Sequence, residues 1–497
     1  MRNPTALFWV FVSLHGIVWT LVPTLSQPNG PLDVIELLNW GRHPQWGYWK
    51  HPPLSAWIAE PFVQIAGKRL WGAYLASQIA ICACLWAVWR FAHDLIEPTY
   101  ALLSVLMLEG ILYYSYMSPQ LNAGVLQVPL WAFTVLFLWR ALNYGRMRDW
   151  LLCGVTAGLG LLTRYDMVLL LVSLLAFVLL NAQARKHLAK PGPYVALAVA
   201  TITFAPHVIW LSRNDFTTIH YALARATSGS SRGPFLDHLV HPLIFAFGQA
   251  LVLAPVFIMM GMPASRTLLR KAEVAHRGFT REFLFTATLG PFLAYLIVSV
   301  ITGFSLTMRW GMPLWSFVGV FILYHLRPAL TDTVLRRFRY VFMGCAALWV
   351  ITFVGEHTFV PALTGRGTSG IFPGQAIADY VTGQWVKRYA TPLPIVGGDS
   401  RIAENVGFYS LDRPDVYLDL NPKRSPWTND EEFRRRGGVI IWHVPTDGAA
   451  LPDRWQTRFP GASVQPGASF VWQTSAAVPP VQIAWAIVPP ASLESSP

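Results

Sequence analysis

Apolar runs of membrane-spanning length recur along the first 356 positions, and no other feature narrows the fold as far. A bilayer core needs roughly 17–25 apolar residues in helical form to cross it. Runs of about that order lie near 6–25, 70–91, 98–117, 122–140, 149–163, 166–181, 194–211, 240–261, 283–302, 310–326 and 339–355. Hydrocarbon offers the backbone no partners, so each run must satisfy its own N–H and C=O groups as a helix. The expected fold is mostly α, a polytopic membrane protein of about 11 transmembrane helices. The short pair flanking Arg164 fits least well, but removing both leaves the downstream sidedness unchanged.

Composition agrees. Hydrophobic residues make up 54% of the chain and charged residues only 13%, about half the charge of an ordinary soluble domain. The formal net charge of +12 does not point to nucleic acid, because the cations sit in short loops between apolar runs. Arg140, Arg146 and Arg148 form one cluster, and Arg185, Lys186 and Lys190 a second. Arg266, Arg270, Lys271, Arg277 and Arg281 form a third, and Arg327, Arg336, Arg337 and Arg339 a fourth. Alternate loops rich in Lys and Arg mark the cytoplasmic side. The other side receives loop 26–69, the turn 118–122, Arg164-Tyr165-Asp166, loop 212–239, the turn before Arg309 and the segment from Gly355. Only Arg2 precedes the first run and no small-residue cleavage site follows it, so that run is expected to stay as an anchor. Cys82, Cys84, Cys153 and Cys345 all lie in apolar runs, which argues against a disulfide framework.

Beyond Gly355 the long apolar runs stop and Gly, Pro, Asp and Arg rise, placing a boundary between 1–355 and 356–497. Within the second part, 375–387 and 402–409 are expected as helices, and 393–396, 415–418 and 438–442 as strands. Short buried strands alternating with helices describe a small α/β unit. Gly397-Gly398-Asp399 lacks the full dinucleotide-binding fingerprint and is expected to be a turn. The Pro-rich end, 478–497, is expected as an edge strand or a disordered tail.

The residues able to carry chemistry gather on the non-cytoplasmic loops. Asp33 and Glu36 stand three apart after Pro31, a spacing that also suits a helix cap. Tyr48, Lys50 and His51 precede Pro52-Pro53, and two prolines fix the direction of the side chains before them. Asn122 follows the third run, Arg164 and Tyr165 end a glycine-rich helix, His207 lies within a run, and His220 lies in the loop beyond. Arg309 is a single cation on the side that the charge rule leaves poor in cations. No residue spacing specifies a metal. A divalent cation beside Asp33, Glu36 and a histidine is compatible with the residues, but none is required.

Asp33 followed 18 positions later by His51-Pro52-Pro53-Leu54 resembles the first extracytoplasmic loop of polyprenyl-phosphate-dependent glycosyltransferases. These GT-C enzymes include the protein O-mannosyltransferases and the lipid A aminoarabinose transferases. Ser118–Gly124 ahead of Pro129-Leu130-Trp131, the Arg164-Tyr165 pair, and Phe204–Trp210 leading to Asn214-Asp215-Phe216 extend the resemblance. The second acid of the family's Asp-Glu pair is Val34 here, and Asn122 and Gly124 stand where another Asp is common.

The resemblance implies a bacterial inner-membrane enzyme with its active site and its C-terminal α/β domain in the periplasm. It implies transfer of one sugar from a polyprenyl-phosphate donor to a lipid, glycan or protein acceptor. Asp33, with Glu36 one helical turn away as the substitute for the second acid, is the expected base, since an acceptor hydroxyl attacking an anomeric carbon must lose its proton. Lys50, His51, Tyr48, Asn122, Arg164, Tyr165, His220 and Arg309 are the expected donor-binding residues. The competing expectation is a multi-spanning transporter or lipid flippase, although paired broken helices and internal repeats are not apparent in the sequence.

Overall fold

The computed structural model describes residues 3–228, 233–261, 277–444 and 450–491 of the 497. Arg266, Arg270 and Lys271 of the third basic cluster lie outside the described residues, as do 229–232 of the 212–239 loop and the last six positions of the Pro-rich end. The chain gathers into two compact units. One holds Met1–Leu21, Lys50–Ser55 and Tyr74–Ile351, and the other Val22–Trp49, Ala56–Ala73 and Thr352–Pro497. The first loop, grouped by sequence with the membrane-spanning part, is thereby divided, most of it falling in the second unit.

The first unit is helical. Among the described residues, seven helices are long and apolar enough to cross a membrane: Pro4–Ser26, Trp71–His93, Ala123–Tyr144, Gly192–Arg213, Phe235–Met260, Gly278–Thr302 and Asp332–Thr364. The other four expected spans take shorter or broken forms. Pro98–Leu106 passes into a 3-10 turn at Met107–Gly110 and then into irregular turns. Met147–Leu161 and Met167–Leu180 run 15 and 14 residues, and Val318–Leu326 only nine. The run at 310–326 starts with a 3-10 turn, Met308–Gly311, and Pro313 lies in the turns between it and the helix. A proline has no N–H for an interior helix position, so apolarity alone overstated the helix there.

Close approach at glycine fixes part of the bundle. A Cβ on Gly154 would lie 2.5 Å from the Ala196 carbonyl oxygen, and one on Gly158 would lie 2.6 Å from the Thr203 Cβ. The helices Met147–Leu161 and Gly192–Arg213 therefore meet backbone to backbone, as small residues allow in membrane bundles. Phe91 packs among Trp139, Phe283 and Phe317 at ring separations of 5.0–6.1 Å. Large apolar side chains such as Leu180, Ile202 and Phe247 stay exposed on the outside, where a bilayer is their solvent.

The second unit is built on a five-stranded sheet: β1 (Ile395–Gly398), β2 (Asp415–Leu418), β3 (Gly438–His443), β4 (Ser463–Phe470) and β5 (Val481–Val488), in the order β2-β1-β3-β5-β4. β1 is parallel to β2 and β3, while β5 is antiparallel to both β3 and β4. One face buries Trp385, Val381, Ile402 and Val406 from the helices Gly374–Tyr389 and Ser400–Tyr409 against Val396, Ile441 and Trp485. The other buries Phe433, Trp455 and Phe459 against Tyr417, Ile440 and Ala484. Burial on both faces explains the continuous apolar run of β3. The expectation of an edge strand in the Pro-rich end is corrected: β5 lies inside the sheet, because Val481–Val488 offers eight residues of which all but Gln482 are buried. At Gly397-Gly398-Asp399 the chain turns. Gly398 has φ +113 with Ile441 backbone where a Cβ would go, and Asp399 caps the next helix through the Arg401 N–H at 3.1 Å.

Candidate active site

In the second unit, Leu32–Gly41 forms a short helix whose N-cap is Pro31, with no side-chain cap. The cap that the Asp33–Glu36 spacing would also suit is not formed by Asp33. Pro31, with its fixed φ, starts the helix, and Asp33 lies within the first turn, where a carboxylate suits the helix dipole. Asp33 is exposed and Glu36, on the next turn, is buried. The two acids therefore occupy different environments. Asn39 secures the helix by donating to the Glu404 carbonyl at 3.0 Å, and the Tyr409 hydroxyl accepts from the Gly30 N–H at 2.8 Å. Tyr48 is buried, stacks on Trp40 at 5.0 Å, and donates to the carbonyls of Trp40 and His43, each at 3.1 Å. Its hydroxyl closes the turn after the helix.

In the first unit, two stretches far apart in sequence are joined by the backbone: Leu54 N–H donates to the Leu162 carbonyl at 3.0 Å. This brings the Lys50-His51-Pro52-Pro53 turn to the end of the glycine-rich helix that carries Arg164. His51 is held well below the ordinary histidine range, at about 3, first by burial and then by the charges of Arg164 and Lys50. Two cations thus flank a neutral imidazole. Tyr221 adds an aromatic face, its ring 6.0 Å from Lys50 Nζ and 6.3 Å from the His51 ring.

Arg164 is held by Asp166 at 2.8 Å. The same carboxylate accepts from Gln127 Nε2 at 2.7 Å and from the Tyr295 hydroxyl at 2.6 Å. Three donors on one carboxylate fix the guanidinium while leaving the fork's other N–H groups for a ligand. Tyr165 lies 2.8 Å from His207 Nε2, which gives the buried histidine its partner. Asn122 caps the helix Ala123–Tyr144, accepting from the N–H groups of Gly124 and Val125 at 2.8 and 3.1 Å. Its neighbour Gly124 lies against Arg164, since a Cβ there would be 3.1 Å from Nη1.

Lys50, His51, Arg164, Tyr165 and the Asn122 turn therefore belong to one neighbourhood. His220 is exposed on the helix Thr217–Thr227, and it is the adjacent Tyr221 that meets Lys50 and His51. Arg309 is exposed on its 3-10 turn. That turn is fixed by Tyr113 and Gln249, which donate to the Met308 carbonyl at 2.6 and 3.1 Å. Tyr221, Gln127 and Tyr295 were not found from the sequence, which contains no local signal linking positions so far apart. Among the described residues, no group of three or more His, Cys, Asp or Glu is arranged to hold a metal ion.

Residues 50–210 match the family described as dolichyl-phosphate-mannose-protein mannosyltransferase. The lipopolysaccharide core galacturonosyltransferases RgtA and RgtB of Rhizobium johnstonii are each 24% identical to the chain. The matches cover 87% and 90% of this chain and 86% and 90% of theirs. ArnT from Cupriavidus metallidurans, in a crystal structure bound to undecaprenyl phosphate, superposes with a TM-score of 0.61 at 14% identity, covering 99% of both chains. Its apo form gives 0.52 at 12% identity over the same coverage. These two structures share the fold.

Proposed function

We propose that the chain is a membrane glycosyltransferase of the GT-C, protein-mannosyltransferase-like superfamily, and that it moves a single sugar from a polyprenyl-phosphate donor to a lipid, glycan or protein acceptor. The transfer takes place on the periplasmic face of the bacterial inner membrane. The observation that carries this reading is the Lys50–His51–Arg164 neighbourhood, where two cations flank a neutral imidazole. A donor phosphate suits these two cations, with Asp166 holding Arg164 in place. The crystal structure of the ArnT relative with undecaprenyl phosphate supports the donor class.

In the proposed reaction, Asp33 accepts the proton of the acceptor hydroxyl as its oxygen attacks the anomeric carbon. The bond from that carbon to the phosphate oxygen breaks, and polyprenyl phosphate leaves with the electron pair. Lys50 and Arg164 hold the phosphate, and Arg164 suits it because a guanidinium binds two oxygens at once. Neutral His51 donates or accepts a hydrogen bond between them. Asn122, Tyr165, His220 and Arg309 line the donor, Tyr48 shapes the first loop, and Glu36 supports Asp33. Residues 1–355 form the catalytic part and 356–497 a periplasmic domain. No cofactor is required. The reported relatives are glycosyltransferases, which leaves the transporter or flippase reading without support.

The test is transfer by purified protein from radiolabelled lipid-linked sugars, screened from the galacturonosyl donor outward because two relatives carry that activity in their names. Sugar-labelled acceptor, with release of the polyprenyl phosphate, is the expected product. Transfer from a soluble nucleotide sugar and from no lipid-linked donor overturns the reading.

A further inference from the structure

A second cationic cluster lies within the second unit. Arg413 is 7% exposed and holds a left-handed backbone, φ +48, which a non-glycine residue adopts at a cost. Its Nη2 reaches both oxygens of Glu60 at 3.1 and 3.3 Å, but the buried Nε and Nη1 groups find no acceptor. A buried donor left unmade is unfavourable. Beside it, Arg42 donates to the Pro414 carbonyl at 3.0 Å and stands 3.6 Å from Asp415. Arg436 and His43 also meet Asp415, at 2.8 and 3.2 Å, and Arg436 lies 3.7 Å from Glu432, which Arg435 engages more closely. Three guanidiniums thus meet three carboxylates, Glu60, Asp415 and, more loosely, the Glu432 that Arg435 engages. Burial first, then the charge of Arg413, lowers the Arg42 pKa against the raising effect of Asp415 and Glu60.

The surroundings are aromatic. His43 stacks on Trp427 at 4.7 Å and 3°, and Arg424, paired with Asp419, lies 4.4 Å over the Trp49 ring. Flat apolar faces beside guanidinium forks match a sugar ring that bears an oxyanion. We propose that the Arg42–Arg413–Arg436 cluster binds the phosphate or carboxylate of an acidic saccharide on the acceptor. The idea of an acceptor rests on the glycosyl-transfer reading above, but the binding itself does not.

Calorimetric titration of the purified full-length protein with glucose 6-phosphate, glucuronate, inorganic phosphate and glucose tests this without donor or turnover. Glucose 6-phosphate and glucuronate should bind, inorganic phosphate more weakly and glucose not at all. Affinity for glucose 6-phosphate should survive Arg164→Gln and fall about tenfold in Arg413→Gln, the scale of one charge-assisted contact. Arg42→Gln, at a partly exposed position, should weaken it similarly and guards against a folding defect at Arg413. Unchanged affinity in Arg42→Gln overturns the site, and so does loss in Arg164→Gln alone, which would put the ligand at the donor position. Inorganic phosphate binding as tightly as glucose 6-phosphate overturns the saccharide specificity. A protein inactive with every lipid-linked donor, yet binding in this pattern, would fail the transfer reading and keep the site.

Discussion

At the scale of single residues, the cations announced themselves and their partners did not. Lys50, His51 and Arg164 were legible because charge beside apolar runs is rare. Asp166 lay next to Arg164 in sequence, but Tyr295, which binds the same carboxylate, is 129 positions from it. Asp33→Asn should abolish transfer while leaving membrane insertion and thermal melting unchanged, because Asp33 is exposed and supports no core. Normal turnover in that variant removes it from the reaction. Arg164→Ala should raise the donor concentration needed for half-maximal rate by one to two decades, from a contact of roughly 1.5–3 kcal/mol. Arg164→Lys should recover part of that, lacking the fork. An unchanged donor dependence in both would make Arg164 structural. His51 adds a pH dependence whose sign is fixed. Its pKa falls from 6.5 to about 3 on folding, so below pH 6.5 the unfolded chain takes up a proton that the folded chain refuses. The resulting stability is present above that pH and is lost as pH falls toward 3. His51→Gln should therefore flatten the fall in melting temperature between pH 7 and 4, and an identical slope in variant and wild type would refute it.

At the scale of elements, apolar periodicity located helices but not their lengths. The two expected tail helices, 375–387 and 402–409, are present as Gly374–Tyr389 and Ser400–Tyr409. β4 was missed because Ser463–Phe470 is mostly exposed or half-buried and carries little apolar signal, and β5 was misplaced at the edge because prolines surround it. The glycines of Met147–Leu161 form a packing surface, and this has a measurable consequence. Gly154→Leu should force apart the helices Met147–Leu161 and Gly192–Arg213, since the Ala196 carbonyl occupies the Cβ position. The first of those helices ends just before Arg164, so transfer should fall together with melting temperature. Gly145→Ala is the contrast, because nothing crowds its Cβ and only its φ of +65 opposes the change. Equal effects of the two substitutions on melting would deny that helix contact is what Gly154 protects.

At the scale of the whole molecule, the number of crossings decides which loops share a compartment. Among the described residues, seven helices are long and apolar enough to cross a membrane, or eight if the bent pair Met167–Leu180 and Ala182–Ala189 counts as one span, whereas the sequence leads to eleven crossings by adding 98–117, 149–163, 166–181 and 310–326. Seven and eleven are both odd, so those two arrangements send the first loop and the C-terminal unit to the same side, and neither end of the chain discriminates between them. The middle does. With seven crossings, Lys186 follows the third helix and lies on the side of the first loop. With eleven, it follows the sixth and lies opposite. The charge rule favours the second arrangement, since Arg185, Lys186 and Lys190 would otherwise stand in a compartment that membrane proteins keep poor in cations. The short helices Met147–Leu161 and Met167–Leu180, at about 1.5 Å per residue, reach 20–25 Å, enough to span a locally thinned bilayer. Single cysteines at Trp46, Lys186 and Leu411, all exposed, test this once the four native cysteines are replaced. A membrane-impermeant maleimide on intact cells should label Trp46→Cys and Leu411→Cys, and should reach Lys186→Cys only after lysis. Labelling of Lys186→Cys in intact cells would reduce the crossings before it by an odd number and overturn the eleven-helix topology. A difference between Trp46→Cys and Leu411→Cys would overturn both arrangements, because it requires an odd number of crossings between them.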